Sequence, residues 1–188
     1  MAPEKEDRRV RRTKERLRQA LTQLLLEKDI HDITVRELTD LADVNRGTFY
    51  THYKDIYDLL EQTENALFSE LEGLLDSYPQ QEVMEHTSAL LLDVFRFIGR
   101  NRNLCRVFLD RQSVDRFSQR LNGLIYRKCL HEWQGLTLPG LGSSRYALEF
   151  VVGGTVGLVR SWALGGFVEP PEEMAALSDR LILSGIRR

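Results

Sequence analysis

The segment from Arg46 to Lys54 is rich in side chains that donate hydrogen bonds, and it contains no acidic residue. Phe49 and Tyr53 lie four residues apart, so on a helix they can pack inward while the polar side chains spread over the other faces. The donors that we single out are Arg46, Thr48, Tyr50, His52 and Lys54. A surface of this composition suits contacts with phosphate oxygens and with base edges in the major groove of a double helix.

Two helices separated by a tight turn are needed to position these donors. Thr34 and Glu37 have the spacing of a capping box, in which Thr34 accepts a first-turn N–H and Glu37 reaches back to the Thr34 N–H. An apolar stripe at helical spacing follows, formed by Val35, Leu38, Leu41 and Ala42. Asp43 and Val44 break the stripe, and Asn45 is a good N-cap for a second helix of about seven to nine residues. The span 34–53 therefore predicts a helix-turn-helix.

The order of these features, ending in R-G-T-F-Y-x-H-Y, resembles the DNA-binding domain of the TetR (tetracycline repressor) family. The resemblance covers about residues 11–71. It implies a three-helix DNA-binding head, followed by a helical body that dimerises and often binds an inducer. The chemistry and the resemblance together assign DNA contacts to the following residues: Thr34, Arg36, Asn45, Arg46, Gly47, Thr48, Tyr50, His52 and Lys54.

The expected roles of these residues differ. Arg46 is expected to read bases with Thr48 beside it, whereas Thr34, Tyr50, His52 and Lys54 are expected to position the DNA backbone. A core role is the alternative for His52, because it lies beside the inward stripe. The sequence departs from the family pattern at Ile56, which replaces a common lysine; Lys54 is the candidate substitute.

Composition and charge support a globular, nucleic-acid-binding protein. Residues 8–18 contain seven basic residues against the single acid Glu15, although the net charge of the chain is −2. This asymmetry favours phosphate attraction by the first helix, with a merely solvated helix face as the alternative.

The two cysteines have neither disulfide nor metal-ligand spacing, and no signal peptide is recognisable, so we expect a cytoplasmic protein. The apolar run 150–159 is short for a bilayer span, so we expect no membrane association.

The remaining periodicity predicts an all-α fold. The predicted organisation is a DNA-binding domain at 8–55, a connecting helix at 56–78 and a helical dimerisation and regulatory domain at 79–188. Asp55 is expected to cap the connecting helix, and the Gly- and Pro-containing segment 134–144 is the clearest loop.

The last two helices are predicted from their composition to form a dimer interface. Three glycines lie inside the apolar helix 145–164, although each costs about 1 kcal/mol in a helix interior, so close approach of another helix is the expected compensation. The resemblance implies a four-helix bundle across a two-fold axis. Its candidate residues are Gly153, Gly154, Gly157, Trp162, Leu177 and Leu181. The alternative is that both helices are core helices of the monomer.

The functional hypothesis is a homodimeric regulator, in the first instance a repressor, that binds a palindromic DNA operator. A small-molecule inducer is one means of control, with Phe95, Phe108, Tyr126 and Trp133 as pocket candidates that are individually more typical of core packing. Control by a partner protein, in an adaptor or activator, is the alternative.

The four histidines and two cysteines form no recognisable catalytic or metal site, so we expect no enzyme activity, no metal and no cofactor. A redox switch at Cys105 or Cys129 is a further alternative.

Overall fold

The computed structural model describes residues 8–78, 87–110, 114–133 and 144–186. These residues form nine α-helices and one 3₁₀ turn, and within them there is no strand. The all-α prediction is therefore confirmed. The predicted loop at 134–144 lies outside the described residues except for Ser144, which begins the eighth α-helix.

The helices follow the predicted periodicity closely. The first half contains α1 (Arg8–Glu27), the 3₁₀ turn (Ile30–Asp32), α2 (Val35–Ala42), α3 (Arg46–His52) and α4 (Ile56–Asp76). The second half contains α5 (Thr87–Arg100), α6 (Arg102–Asp110), α7 (Val114–Trp133), α8 (Ser144–Leu164) and α9 (Pro171–Ile186). The 3₁₀ turn was not predicted, because a single turn is too short to produce an apolar period. Its Ile30 and the adjacent Ile33 are both buried.

The chain divides into two compact units inside α4, between Leu67 and Phe68. In unit 1, α1 packs against α2 and α2 packs against α3. The fully buried side chains of this unit are Leu17, Leu21, Leu38, Phe49 and Leu59. This core must hold the two short helices in place, because helices as short as α2 and α3 are not stable alone in water.

Unit 2 is a helical bundle in which α5 packs against α9 and α8 packs against α6, α7 and α9. Its core includes Phe95, Leu109 and Leu148, each no more than 1% exposed. A second aromatic cluster joins Phe108, stacked on Phe117 with ring centroids 5.4 Å apart, to Phe68 at 4.9 Å from Phe117. Phe95 and Phe108 are thus packed side chains of the body.

Helix α8 is longer than the apolar run that we considered in the sequence. The span Tyr146–Leu164 is long and apolar enough, by length and composition alone, to cross a membrane, a test that core helices of soluble proteins also pass. One face of α8 is buried through Leu148, Val152, Val156 and Val159, and the exposed residues Glu149 and Arg160 lie on the other. Packing inside unit 2 therefore accounts for the apolar character of the buried face.

Candidate nucleic-acid interface

Helix α2 begins at the predicted cap. The Thr34 side chain accepts a hydrogen bond from the Glu37 N–H at 3.2 Å, which satisfies one of the free donors of the first turn. The reciprocal half of the expected capping box does not form among the described residues, because the Glu37 carboxylate accepts instead from Nζ of Lys28 at the end of α1. That ion pair ties the start of α2 to the preceding helix.

The turn between α2 and α3 is held by contacts that the sequence pattern did not reveal. Asp43 ends α2 in the left-handed conformation, with φ of 52°, a region that aspartate tolerates better than most residues. Arg16 of α1 donates from Nη1 both to the Asp43 carbonyl and to its carboxylate, each at 3.3 Å. Arg16 therefore links the basic helix to the turn, and no spacing rule relates residues so distant in the sequence.

The start of α3 is fixed by a side-chain cap. Asn45 Oδ1 accepts from the Gly47 N–H at 2.7 Å, as expected of an N-cap. A Cβ at position 47 would lie 3.1 Å from the same oxygen, so glycine lets the cap close without steric conflict. The side-chain oxygen of Asn45 thus accepts a hydrogen bond from the first turn of α3, and the side-chain amide nitrogen is available for other contacts.

The inward stripe of α3 packs as predicted. Phe49 is completely buried and Tyr53 is 6% exposed, with ring centroids 5.7 Å apart. Tyr53 also closes the helix, because its N–H donates to the Phe49 carbonyl. The opposite face is thereby turned to solvent.

Arg46 and Tyr50 dominate this exposed face. The Arg46 guanidinium lies 5.6 Å from the centroid of the Tyr50 ring, and its Nη2 donates to the Tyr50 hydroxyl at 3.3 Å. Both side chains are exposed. A cation resting on an aromatic ring is restricted in its rotamers but keeps its remaining N–H groups available. The pair can therefore present donors to an acceptor at a defined position.

The other candidates on or beside these helices differ in exposure. Thr48 and His52 are half-buried, and the His52 ring is 6.3 Å from the Tyr53 ring. This position of His52 is compatible both with a contact to the DNA backbone and with packing in the core. Thr51, which we had not singled out, is exposed and its hydroxyl donates to the Thr48 carbonyl at 2.6 Å. Arg36 is exposed at the start of α2, 3.8 Å from the Asp40 carboxylate.

Lys54 is exposed at the junction of α3 and α4, whereas Ile56 is buried in unit 1. The junction is fixed by two aspartates: Asp55 accepts from the Asp58 N–H, as predicted for the cap of α4, and Asp58 accepts from the Lys54 N–H, both at 2.8 Å. The backbone hydrogen bond from Lys54, followed by the side-chain bond from Gln62, lowers the pKa of Asp58 below its usual 3.8.

The basic residues of α1 form a continuous exposed surface that includes Arg8, Arg11, Arg12 and Arg16. Its acids are few: Glu15 pairs with Arg18 at 2.9 Å. Through Arg16 this basic surface is connected to the turn before α3. The arrangement places a cluster of positive charge on α1, in the same unit as the donor-bearing helix α3.

The residues predicted for a dimer interface fall into two groups. Gly153, Gly154 and Gly157 lie on the exposed face of α8, and a Cβ on any of them would meet nothing within 4 Å. Leu181 is exposed, and Leu177 is half-buried on α9. Trp162, in contrast, is 3% exposed, and its indole N–H donates to the Glu169 carbonyl at 2.9 Å. Trp162 is thus a packed residue of unit 2.

A capped helix-turn-helix, a donor-bearing second helix and an adjacent basic helix define a DNA-binding protein of the helix-turn-helix class. The comparisons with known proteins agree. The family described as bacterial regulatory proteins, tetR family, matches residues 17–63, and the transcriptional regulator C-terminal region of that family matches residues 85–184. The chain belongs to the TetR family of transcriptional regulators, which are non-enzymatic DNA-binding transcription factors.

Individual relatives support this assignment. The chain is 44% identical over 104 residues to the uncharacterized HTH-type transcriptional regulator YxbF of Bacillus subtilis; the match covers 54% of this chain and 27% of the relative. The chain thus spans about a quarter of that relative's length.

Solved structures share the fold at low sequence identity. SmeT, the repressor of the Stenotrophomonas maltophilia multidrug efflux pump SmeDEF, has a TM-score of 0.72 at 14% identity, with 92% of this chain and 89% of SmeT covered. The dihydroxyacetone kinase operon activator DhaS has a TM-score of 0.67 at 16% identity, with 93% of this chain and 96% of DhaS covered.

Proposed function

We propose that the protein is a homodimeric regulator that acts in the cytoplasm and binds a palindromic operator with the paired α3 helices of two protomers. Two-fold symmetry would place the half-sites about 34–36 Å apart along the duplex in the simplest case. The observation that carries the proposal is the exposed Arg46–Tyr50 pair on a helix whose first turn is fixed by Asn45. In this proposal Arg46 reads a base edge, most simply O6 and N7 of a guanine.

The remaining site residues are proposed to hold the DNA backbone. Thr34 lies at the exposed start of α2 and Lys54 at the exposed start of α4, so each stands next to helix N-terminal N–H groups, which favour a phosphate. The proposed contact set also contains Arg36, Asn45, Gly47, Thr48, Tyr50 and His52. The basic surface of α1 adds attraction that does not depend on sequence.

Dimerisation is proposed to use the exposed face of α8 with α9. Tyr146 and Phe150 on this face are 74% and 78% exposed, and they continue toward the three glycines. Large apolar side chains next to an open glycine surface suit burial against a second copy, because the glycines allow two backbones to come close. Leu177 and Leu181 are proposed to extend the interface, and Trp162 to support α8 from inside the protomer.

The direction and the means of control are part of the proposal. We favour a repressor that an effector releases, with a partner-controlled activator or adaptor as the second candidate. DhaS is named an activator and SmeT a repressor, so regulators of both kinds occur on this fold. A redox switch at Cys105 is not part of the proposal, because burial raises the pKa of this thiol to about 12 and disfavours the reactive thiolate.

The test is selection of binding sites from random duplex DNA by the purified chain, followed by fluorescence anisotropy on the selected duplex. We expect an inverted repeat and binding of two protomers per site. Unselective binding, or a binding-competent monomer on a single half-site, would contradict the proposal.

A further inference from the structure

A cleft in unit 2 lies outside every surface used above. It has a volume of about 740 Å³ and lies between the end of α5, the start of α6 and the loop from α8 to α9. Cavities of this size accommodate small organic molecules. Its lining includes Arg96, Arg100, Arg102, Trp162, Phe167 and Pro170.

The walls of the cleft are held in place by short-range contacts. A Cβ at Gly99 would lie 3.1 Å from Cγ of Pro171 and 3.5 Å from the Trp162 ring, so glycine allows α5 to approach the start of α9. Phe167 has φ of 58°, and its N–H donates to the Trp162 carbonyl at 2.9 Å, while its ring lies 4.8 Å from the Trp162 ring. The cleft therefore has a fixed aromatic and proline wall.

The opposite wall carries three arginines. Arg96 is paired with Glu172 at 2.9 Å, an interaction that lowers the pKa of this glutamate. Arg100 donates through Nε to the Arg96 carbonyl at 3.3 Å, which leaves its terminal N–H groups available. Within the described residues Arg102 has no ion pair, and it begins α6, whose first backbone N–H groups have no partner inside the helix.

Two carboxylates, Asp93 and Glu169, line the cleft beside the three arginines. Asp93 accepts from the Tyr78 hydroxyl at 2.6 Å, and burial followed by this bond raises the pKa of Tyr78 to about 12, so the tyrosine remains a donor. Glu172 is engaged by Arg96. Arg100 and Arg102 form no ion pair within the described residues, so their terminal guanidinium N–H groups remain available to an added anion.

We infer that this cleft binds a small organic anion, whose carboxylate or phosphate group contacts Arg100 and Arg102 and whose apolar body lies against Phe167 and Pro170. Guanidinium groups bind planar carboxylates and phosphates through paired N–H groups, and the apolar wall supplies the area that an inorganic ion would leave unused. The inference concerns binding in unit 2 and does not depend on whether the protein recognises a palindromic operator.

The experiment uses Trp162 as a built-in reporter. The chain has two tryptophans, so the full-length Trp133→Phe variant leaves only Trp162, which lines the cleft. Phenyl phosphate, benzoate, neutral benzamide and inorganic phosphate are each titrated at constant ionic strength without DNA. We expect saturable changes in Trp162 fluorescence with phenyl phosphate, benzoate or both, and at least about tenfold weaker binding of benzamide and inorganic phosphate. The stronger of the two aromatic anions identifies the preferred head group.

Matched variants locate the binding site. Arg100→Gln with Arg102→Gln is expected to weaken binding of the aromatic anion at least about tenfold. Arg106→Gln changes an exposed arginine one turn further along α6 that does not line the cleft, and it is expected to leave binding unchanged. Arg102→Lys alone keeps the charge and provides a second measurement if the double variant does not fold. Its affinity for the aromatic anion is expected to lie between that of the unsubstituted cleft and that of the double variant. Equal binding of benzamide, equal loss in Arg106→Gln, or no binding of either aromatic anion would overturn the inference.

Discussion

The exposed face of α3 and the exposed face of α8 are both surfaces without a partner in the described chain, yet they are built differently. The α3 face carries polar side chains that are held individually, by the Asn45 cap and by the Arg46–Tyr50 contact. The α8 face carries the exposed Phe150 and three glycines, at each of which an added Cβ would meet nothing within 4 Å. The first surface is organised before anything binds, whereas the second consists of what the core of unit 2 leaves uncovered.

In the proposed function, this difference indicates how each surface would gain binding free energy. Pre-oriented donors lose little conformational entropy when they meet an acceptor, so they favour selectivity among partners. An uncovered apolar face gains free energy from removal of its area from water, with little directional preference. Substitutions on the α8 face should therefore change binding through the volume of the new side chain. Substitutions on the α3 face should change binding through the loss or gain of a single hydrogen-bonding group.

The largest effect is expected from Gly154→Leu. A Cβ at this position meets nothing within 4 Å in the protomer, and the substitution removes a helix-interior glycine, so the fold should be retained. Across a two-fold interface the added volume costs about 1–3 kcal/mol per copy, so the dimer dissociation constant should rise at least about 30-fold. Sedimentation equilibrium measures the change.

Gly73→Leu is the matched control for this prediction. Gly73 also lies inside a helix, on an exposed part of α4, and a Cβ there also meets nothing within 4 Å. We expect the dimer to be unaffected. Equal dissociation in both variants, or none in either, would contradict the assignment of the α8 face to dimerisation.

The next effect separates base reading from backbone contact on the α3 side. Arg46→Ala should cost about 1–3 kcal/mol of operator binding and reduce the discrimination between the selected site and its point variants. Lys54→Ala should weaken all duplexes alike and reduce the salt-dependence slope by about 1. Anisotropy titrations at several salt concentrations test both. Indistinguishable behaviour of the two variants would refute the proposed division of roles.

Asn45→Ala should destabilise unit 1 by about 1 kcal/mol, because the Gly47 N–H loses its acceptor. Asn45→Asp keeps the acceptor and should restore the melting temperature, while its negative charge near the DNA-facing helix weakens operator binding. Thermal unfolding and anisotropy of the same samples separate stability from binding. Retention of wild-type stability in Asn45→Ala would show that the cap is dispensable.

The smallest effect is a pH dependence at the junction of α3 and α4. The pKa of Asp58 is lowered by the Lys54 N–H and then by Gln62, so the stabilising contribution is fully present above the unfolded value and is lost as pH falls through the lower, folded pKa. The Lys54 amide proton shift in NMR spectra should titrate with a midpoint below 3.8. Asp58→Asn should abolish the titration; a midpoint at or above 3.8 would contradict the assignment.

Much of the fold was predictable from the sequence because its signals are local. The caps at Thr34, Asn45 and Asp55 lie within three residues of the N–H groups that they bind, and the helical periodicity of the chain required no knowledge of neighbouring elements. The link between Arg16 and Asp43 joins residues 27 positions apart and could not be derived from spacing.

The α8 helix marks the limit of the same reasoning. Its apolar residues occur around most of its circumference, so composition did not distinguish the buried face from the exposed one. Trp162 and Gly154 were assigned together as interface residues, but the tryptophan lies in the core and the glycine on the surface. The DNA and dimer contacts of the individual residues stay predictions.

The Asn45 oxygen lies 3.1 Å from the place where a side chain at position 47 would begin, and in the proposed function this contact limits how operator preference can change in evolution. Variation at positions 46 and 48 can alter the recognised bases without disturbing the helix start. A Cβ at position 47 would press against the Asn45 oxygen, so we expect glycine to be favoured there while the cap is kept, and recognition to diverge through positions 46 and 48.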